Sequence, residues 1–425
     1  MKLPQRRTQP KKHKTQRPST LSGVYSGLKI EGLTHDGRGV GHINGKAVFI
    51  KNALPDEVVD IKIQQDQAQF AQARVMKWLE ISADRVTPFC ENYDRCGGCS
   101  LQHLSYDKQV FWKQKNLIEQ LTKSLDTRRL VIEPMQTSDP QGYRRRARMF
   151  LVKQASQPKG LDKQAKLGFR ELNSEQVVDI ENCPVLTPAL QKTMQSIRFE
   201  LLPLASRQSK EIHLSESEQG IWVDSNVYKK SPNNTKNQPP YYNLRDLKIQ
   251  FDPTGFIQVN SPVNESLVEQ ALSWLALSPG STLLDLFCGV GNFSLPAAKM
   301  ANQVVGVEGN SAAVELAKSN ASLNKLNNLT FHKADLFEKS DHQAWWSDYD
   351  AVLLDPGRLG AKTLCQNIGE LNAQRIVYVS CQSDTLIRDL QVIEQQGYRL
   401  KRIQLFDMFP NTSHIESLVL MEKLT

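Results

Sequence analysis

The sequence predicts a multidomain chain of mixed class: a small N-terminal β-barrel, a central, mainly β region, and a C-terminal α/β domain built on a doubly wound sheet. Three observations predict it. Short runs of alternating apolar residues crowd into residues 22–80, extended patterns dominate 143–255, and apolar strands alternate with helical periods from 262 onward. A chain of 425 residues can bury the cores of two or three such domains.

Residues 1–20 carry Lys2, Arg6, Arg7, Lys11, Lys12, Lys14 and Arg17 with no acid, and read as a disordered basic tail. A barrel is expected over 21–80. Leu28–Glu31, Ala47–Ile50, Val58–Ile63 and Phe70–Val75 each alternate, and Gly37, Gly39, Gly41 and Gly45 mark the turns between the first pair. The central region, 81–260, opens on a knot of cysteines, continues into a helix over 106–125 with Val110, Phe111, Leu117 and Leu121 at helical spacing, and then reads mainly as β, with a polar loop around 231–240. From 261 to 425, helices 263–276, 293–300, 311–325 and 383–395 interleave with strands 282–286, 303–307, 329–332, 351–354 and 375–379, and further strand segments lie near 400 and 417. Such alternation implies a mostly parallel sheet with helices on both faces.

Bulk properties narrow the function. The net charge is +8, and Arg144, Arg145, Arg146 and Arg148 form a second basic cluster, which suits a polyphosphate partner. No apolar run approaches the roughly 20 residues that span a bilayer, and the N-terminus has no signal-like apolar stretch, so a cytoplasmic protein without a membrane partner is expected. No obligate protein partner is evident.

In an open parallel sheet, ligands sit beyond the carboxyl ends of the strands. Strand Leu283–Leu286 runs into Phe287-Cys288-Gly289-Val290-Gly291-Asn292, where glycines let a ligand approach the backbone. Glu308 ends the next strand, placed to accept hydrogen bonds from two ribose hydroxyls, and Asp335 ends the third, placed to hold an adenine amino group. The third glycine that a pyrophosphate site usually has is absent, which favours S-adenosylmethionine over a dinucleotide.

Cys381 ends the strand Val377–Ser380. Alone, it reads equally well as a small buried hydrophobe. Its neighbours make it a candidate nucleophile: Asp355-Pro356 ends the preceding strand, and His414 and Glu416 lie in a loop near the C-terminus. One substrate needs this set. C5 of uracil is a poor nucleophile until a thiolate adds at C6, and a base must later remove the C5 proton. A shielded Glu has the raised basicity for that step.

Cys90-x5-Cys96-x2-Cys99, with Cys183 downstream, supplies four thiols, and zinc and [4Fe-4S] both accept four. Spacing alone leaves the two open.

Taken as an ordered set, Phe256-Ile257-Gln258-Val259-Asn260, Asp285 to Phe293, Leu354-Asp355-Pro356, Val379-Ser380-Cys381 and His414-Ile415-Glu416 resemble the RNA uracil-5-methyltransferases. The resemblance covers about 22–425 and is strongest to the 23S ribosomal RNA branch that carries a TRAM domain and an iron–sulfur cluster. It implies an N-terminal OB-like barrel of TRAM type, a central domain holding a [4Fe-4S] cluster on Cys90, Cys96, Cys99 and Cys183, and a Rossmann-like S-adenosylmethionine-dependent methyltransferase domain. It implies Cys381 as nucleophile, Glu416 as base, and Gln258, Phe287, Asn292, Glu308, Asp335 and Asp355 as the lining of the cofactor pocket. The expected substrate is a flipped or single-stranded uridine of 23S ribosomal RNA, with Arg38 and Lys46 of the barrel turns meeting phosphates. Another ribosomal or transfer RNA uridine is the alternative. Two departures from the family pattern, Gly357 for the second proline of Asp-Pro-Pro-Arg and Gln382-Ser383 for Asn-Pro after the cysteine, motivate a further one: an RNA-binding or ribosome-assembly protein with a decayed catalytic site.

Overall fold

The computed structural model describes residues 20–155, 163–228, 239–338 and 343–424. The basic tail up to residue 19 and most of the polar loop expected at 231–240 lie outside the described residues. The chain forms two compact units, divided after Arg85.

The first unit is a six-stranded sheet of β1 (Val24–Lys29), β2 (Gly32–Leu33), β3 (Gly39–Ile43), β4 (Lys46–Lys51), β5 (Val58–Asp66) and β6 (Phe70–Glu80), ordered β1-β5-β6-β4-β3-β2. The two end strands are consecutive in sequence, joined by Ile30-Glu31. Ile30 N–H donates to Glu57 and Glu31 N–H to Val40, so this link draws the ends together and the sheet curls around its core. Alternate residues, Val48 and Ile50, Val59 and Ile61, Ala71 and Ala73, fill that core. A Cβ on Gly39 would strike the Ala53 backbone at 2.7 Å, which explains the glycine there. Glu57, fully buried, accepts from Arg85, Trp78 Nε1 and the Leu54 N–H. Lys46 departs from expectation: it is buried and bound to Asp66, so it is not a free phosphate contact. Arg38 pairs with Asp36 and lies over the Phe49 ring.

The second unit begins with the cysteine segment and α1 (Tyr106–Ser124), followed by β7 (Val131–Ile132). Strands β8 (Arg146–Ala155), β9 (Lys163–Arg170) and β10 (Val177–Asp179) come next, then α2 (Pro188–Leu201), β11 (Lys210–Ser217) and β12 (Gly220–Asp224). These five strands form one antiparallel sheet, β10-β9-β8-β11-β12. Helix α2 does not figure in the mainly β reading of this region. Its signals were nonetheless present: Thr187 caps the Leu190 N–H, Pro188 opens the first turn, and Leu190, Met194, Ile197 and Leu201 make one buried stripe.

A hairpin of β13 (Tyr241–Leu244) and β14 (Leu247–Gln250) leads into α3 (Ser261–Leu275), β15 (Thr282–Leu286), α4 (Ser294–Ala298), β16 (Gln303–Glu308), α5 (Ser311–Leu323), β17 (Leu329–Lys333), β18 (Ala351–Leu354), α6 (Lys362–Cys365), β19 (Arg375–Ser380), α7 (Ser383–Gln395), β20 (Tyr398–Phe406) and β21 (Glu416–Lys423). The eight-stranded sheet runs β17-β16-β15-β18-β19-β21-β20-β7. It is parallel through β19, but β21 inserts antiparallel between β19 and β20. Strand β7, from early in the chain, closes the edge beside β20.

The strands alternate between two cores. Leu284, Leu286, Val352, Leu354, Ile376 and Tyr378 face a layer containing Leu117 and Leu121 of α1, Leu364 of α6, and Leu386, Leu390 and Ile393 of α7. Leu283, Leu353, Val377 and Val379 face Val263, Leu267 and Ala271 of α3. Burial on both faces makes these strands continuously apolar, which is why the sequence reads so clearly here. Truncating a residue such as Leu284 to Ala in this layer costs about 2–5 kcal/mol.

Candidate active site

The loop after β15 carries its strain in one place. Phe287 has φ 65°, followed by Gly289 at 55° and Gly291 at 98°. A bulky residue at positive φ is held there only by its surroundings, and such residues gather at functional sites. A Cβ on Gly291 would fall 1.8 Å from the Leu295 side chain, so this position demands glycine on both counts. Glu308 ends β16 and accepts from the Gly289 N–H at 3.1 Å and the Asn310 N–H at 2.8 Å, joining the first two loops. Asn292 exchanges two hydrogen bonds with Asn264 of α3 and accepts from Tyr242. Asp335 lies two residues beyond β17 rather than ending it. It is exposed and caps the Phe337 N–H, and the Phe337 ring packs on Phe287 at 5.9 Å.

Two buried acceptors in this region lack a partner: Gln258 Oε1 and Asp285 Oδ1. Burial raises the Asp285 carboxyl to about 7, with Asp355 and Glu308 adding to the shift. An orphaned acceptor in a protein interior calls for a donor from a ligand or water. An amine- and hydroxyl-bearing nucleoside such as S-adenosylmethionine supplies donors of that kind.

The candidate nucleophile, Cys381, and the candidate base, Glu416, lie at the ends of paired strands. Strands β19 and β21 pair antiparallel through Ser380 opposite Ser417. Cys381 is the residue after Ser380 and Glu416 the residue before Ser417, so the end of the ladder brings them near enough for Glu416 to act electrostatically on the thiol. Glu416 is the first residue of β21, paired with Phe406 of β20, and not part of a free loop as its sequence suggests. Asp355 follows β18, its N–H bonded to the Leu286 carbonyl. These groups feel one another. Burial pushes the Cys381 thiol to about 11, helped by Glu416 and Asp355 and opposed by Arg358. Burial and Asp355 push Glu416 well above the ordinary carboxyl range, and burial and Glu308 raise Asp355 to about 7. His414 is lowered by desolvation and by Arg358, Lys113 and Arg144.

A cavity of about 760 Å³ is lined by two groups, Gln258, Asp355, Cys381 and Glu416, and all four of Cys90, Cys96, Cys99 and Cys183. The basic cluster divides across it. Arg144 and Arg148 line the cavity, whereas Arg145 is buried over the Tyr242 ring and holds the Gln258 carbonyl at 2.8 Å, and Arg146 donates to the Thr254 carbonyl. The cysteines are all free thiols. Gly97 N–H bonds the Arg170 carbonyl at the end of β9, Gly98 N–H points at Cys96 Sγ, and Cys183 N–H is held by Gln191. Burial and then mutual repulsion raise Cys99 to about 11 and Cys183 to about 12. Thiols that raise one another in this way gain most from a bound cation. Among the described residues, no three of these or other Cys, His, Asp or Glu side chains are drawn into a finished metal-binding group.

Comparison with known proteins decides the family. The tRNA (Uracil-5-)-methyltransferase family model matches residues 240–424, and the TRAM domain model matches 26–76. The 23S rRNA (uracil(1939)-C(5))-methyltransferase RlmD of Vibrio parahaemolyticus is 39% identical over 445 residues, covering 98% of this chain and 99% of that protein. The chain belongs to the RNA uracil-5-methyltransferase family. The same-named protein of Photobacterium profundum is 37% identical, covering 96% of each chain. The crystal structure of Pyrococcus abyssi tRNA (uracil-54, C5)-methyltransferase, in complex with S-adenosyl-L-homocysteine, shares the fold with a TM-score of 0.69 at 23% identity, over 93% of this chain and 100% of that one.

Within this family, the two local departures of the chain prove structurally mild. Gly357 is exposed with open space around its Cβ direction, and its carbonyl closes a turn with the Gly360 N–H. Gln382 is held through its backbone by the Ser380 and Thr385 hydroxyls. Sequence reasoning missed Asn264 and Phe337. Asn264 left a signal, a polar residue on the apolar stripe of α3, while Phe337 left none.

Proposed function

We propose that this chain transfers a methyl group from S-adenosylmethionine to C5 of a uridine in 23S ribosomal RNA. The observation that carries this reading is the cross-strand placement of Cys381 and Glu416 beside Asp355, at the strand ends of a methyltransferase sheet. Bound S-adenosylmethionine supplies an electrophilic methyl group. Gln258, Phe287, Asn292, Glu308, Asp335 and Asp355 form its pocket, with Asp285 supplying a further acceptor.

The chain's own groups perform the rest. Asp355, whose charge acts on the Cys381 thiol, is the acceptor for its proton as the sulfur attacks. The thiolate adds to C6 of uracil, C5 becomes enolate-like and takes up the methyl, and Glu416 removes the C5 proton. Its raised pKa suits it to that task. Elimination at C6 then returns Cys381. Arg144 and Arg148 line the same cavity and match the phosphates of a strand whose uridine is turned out of its stack.

The four cysteines would hold a [4Fe-4S] cluster that braces the middle of the chain. On this reading the joints between tail, barrel, central domain and methyltransferase domain fall near residues 20, 80 and 260.

The test uses anaerobically purified protein, methyl-labelled S-adenosylmethionine and unmodified 23S ribosomal RNA, with nucleosides read by mass spectrometry. Labelled 5-methyluridine is expected, and fragment mapping locates it. RNA binding without label, unchanged in Cys381→Ser, would overturn the enzymatic reading in favour of a binding-only protein.

A further inference from the structure

The β20–β21 hairpin loop, 407–415, delivers Glu416 but has no regular structure of its own. Its shape is set from outside. Helix α1 turns a polar stripe, Tyr106, Gln109 and Lys113, toward it, at the spacing that places residues on one helical face. Gln109 and Lys113 are 2% and 7% exposed, although the same face continues into the apolar core through Leu117 and Leu121. Tyr106 OH donates to Asp407 Oδ2 at 2.9 Å, and Lys113 Nζ donates to Asp407 Oδ1 at 2.7 Å and to the Phe409 carbonyl at 3.2 Å.

Asn411 is the hub. It is 2% exposed and sits at φ 65°. Its N–H donates to Gln109 Oε1 at 3.0 Å, and its side-chain Nδ2 donates to the Pro140 carbonyl at 2.7 Å. Its carbonyl accepts from the N–H groups of Ser100 and Leu101, the residues that follow Cys99. Ser100 Oγ in turn accepts from the Ser413 N–H at 3.1 Å. Buried polar groups satisfied this completely make a stiff, specific network.

We infer that Gln109 and Asn411 are positioning residues for proton abstraction, holding the loop that sets Glu416 against the reacting C5 and tying that loop to the cysteine segment. This rests on the proposed role of Glu416 as base. A misplaced base spares the earlier steps, thiolate addition and methyl transfer, and delays only the last. The distinguishing signature is a methylated RNA left covalently bound to Cys381.

Two variants test it in the full-length protein. Asn411→Gly keeps the left-handed backbone available while deleting the side chain, and Gln109→Ala removes the partner on α1. Each is expected to carry out the first methyl transfer within about 3-fold of the parent, to turn over about 10–100-fold more slowly, and to accumulate a denaturant-stable methylated RNA adduct. RNA affinity close to that of the parent accompanies this result, with a melting temperature lowered only modestly by the buried groups left unpaired. A slower enzyme with no adduct in either variant would show a merely structural role and overturn the inference, as would unchanged turnover in both. Glu416→Gln is the control. If it traps adduct while the two variants do not, only the positioning inference fails. If it traps none, the reading of Glu416 as base fails and takes the inference with it.

Discussion

The two groups of residues that wall the cavity are built by different means. The wall proposed to be catalytic rests on strand ends: Asp355 one residue past β18, Cys381 one past β19, Glu416 at the first residue of β21. Backbone ladders fix these positions, and the apolar layers on both faces of the sheet fix the ladders. The cysteine wall rests on loops, held by single bonds such as Gly97 N–H to the Arg170 carbonyl and Cys183 N–H to Gln191. Strand ends tolerate neighbouring substitutions because the ladder does the positioning. Gly357 and Gln382 illustrate this, since they follow closely on Asp355 and Cys381 while the ladders of β18, β19 and β21 stay regular. A loop-built wall lacks that reserve, and under the proposed cluster reading it would gain its rigidity from the bound metal.

The largest effect is expected at Cys381, the proposed nucleophile. Cys381→Ser is expected to lower 5-methyluridine formation by on the order of 10⁴-fold or more, with the melting curve and RNA affinity unchanged, because the ladder survives. A large loss of stability in this variant would mean that the thiol is a packing residue and that the strand-end argument is wrong. Glu416→Gln comes next, with a loss of about 10²–10⁴-fold in turnover and a methylated adduct visible as a slow band on denaturing gels.

The loop wall should fail in the opposite way. Cys99→Ser, in protein purified anaerobically, is expected to lose bound iron by elemental analysis and to melt several degrees lower, while any chemistry that remains still passes through Cys381. Iron content and melting curve equal to the parent's would remove the metal reading of this wall.

The same contrast decides what could be read from the sequence. Buried parallel strands are continuously apolar and end abruptly, so strands 282–286, 351–354 and 375–379 stand out, and with them Asp355 and Cys381. Glu416 was legible as a residue but not as a strand position. Its register depends on an antiparallel insertion between β19 and β20 that no local pattern announces. The reading of 143–255 as mainly β passed over α2, because the helical stripe Leu190, Met194, Ile197 and Leu201 lies between long extended runs. Lys46 and Arg145 look like solvent cations in sequence, yet one is buried on Asp66 and the other over Tyr242. Such pairings join residues distant along the chain, and composition does not carry them. The hub at Asn411 is of the same kind, with partners at Ser100, Leu101, Gln109 and Pro140, about 270 to 310 positions away by residue number.

The smallest expected effect is on stability, and its sign follows from burial. Glu416 is held well above its ordinary value of 4.5, first by burial and then by Asp355. The folded protein therefore keeps a proton that the unfolded chain releases near 4.5. Between that pH and the raised folded value, the unfolded state binds fewer protons, so stability falls as pH rises. Asp355, raised from 3.8 to about 7, acts in the same direction over its own range. Glu416→Gln removes the first contribution. Its melting temperature is expected to match the parent's near pH 4.5 and to exceed it increasingly as the pH approaches neutrality, even as turnover collapses. Catalytic rate in the parent should rise over the same range, because the base works only after losing its proton. A variant less stable than the parent at neutral pH would mean that the Glu416 carboxylate is satisfied in the folded protein, and the account of its basicity would have to be abandoned.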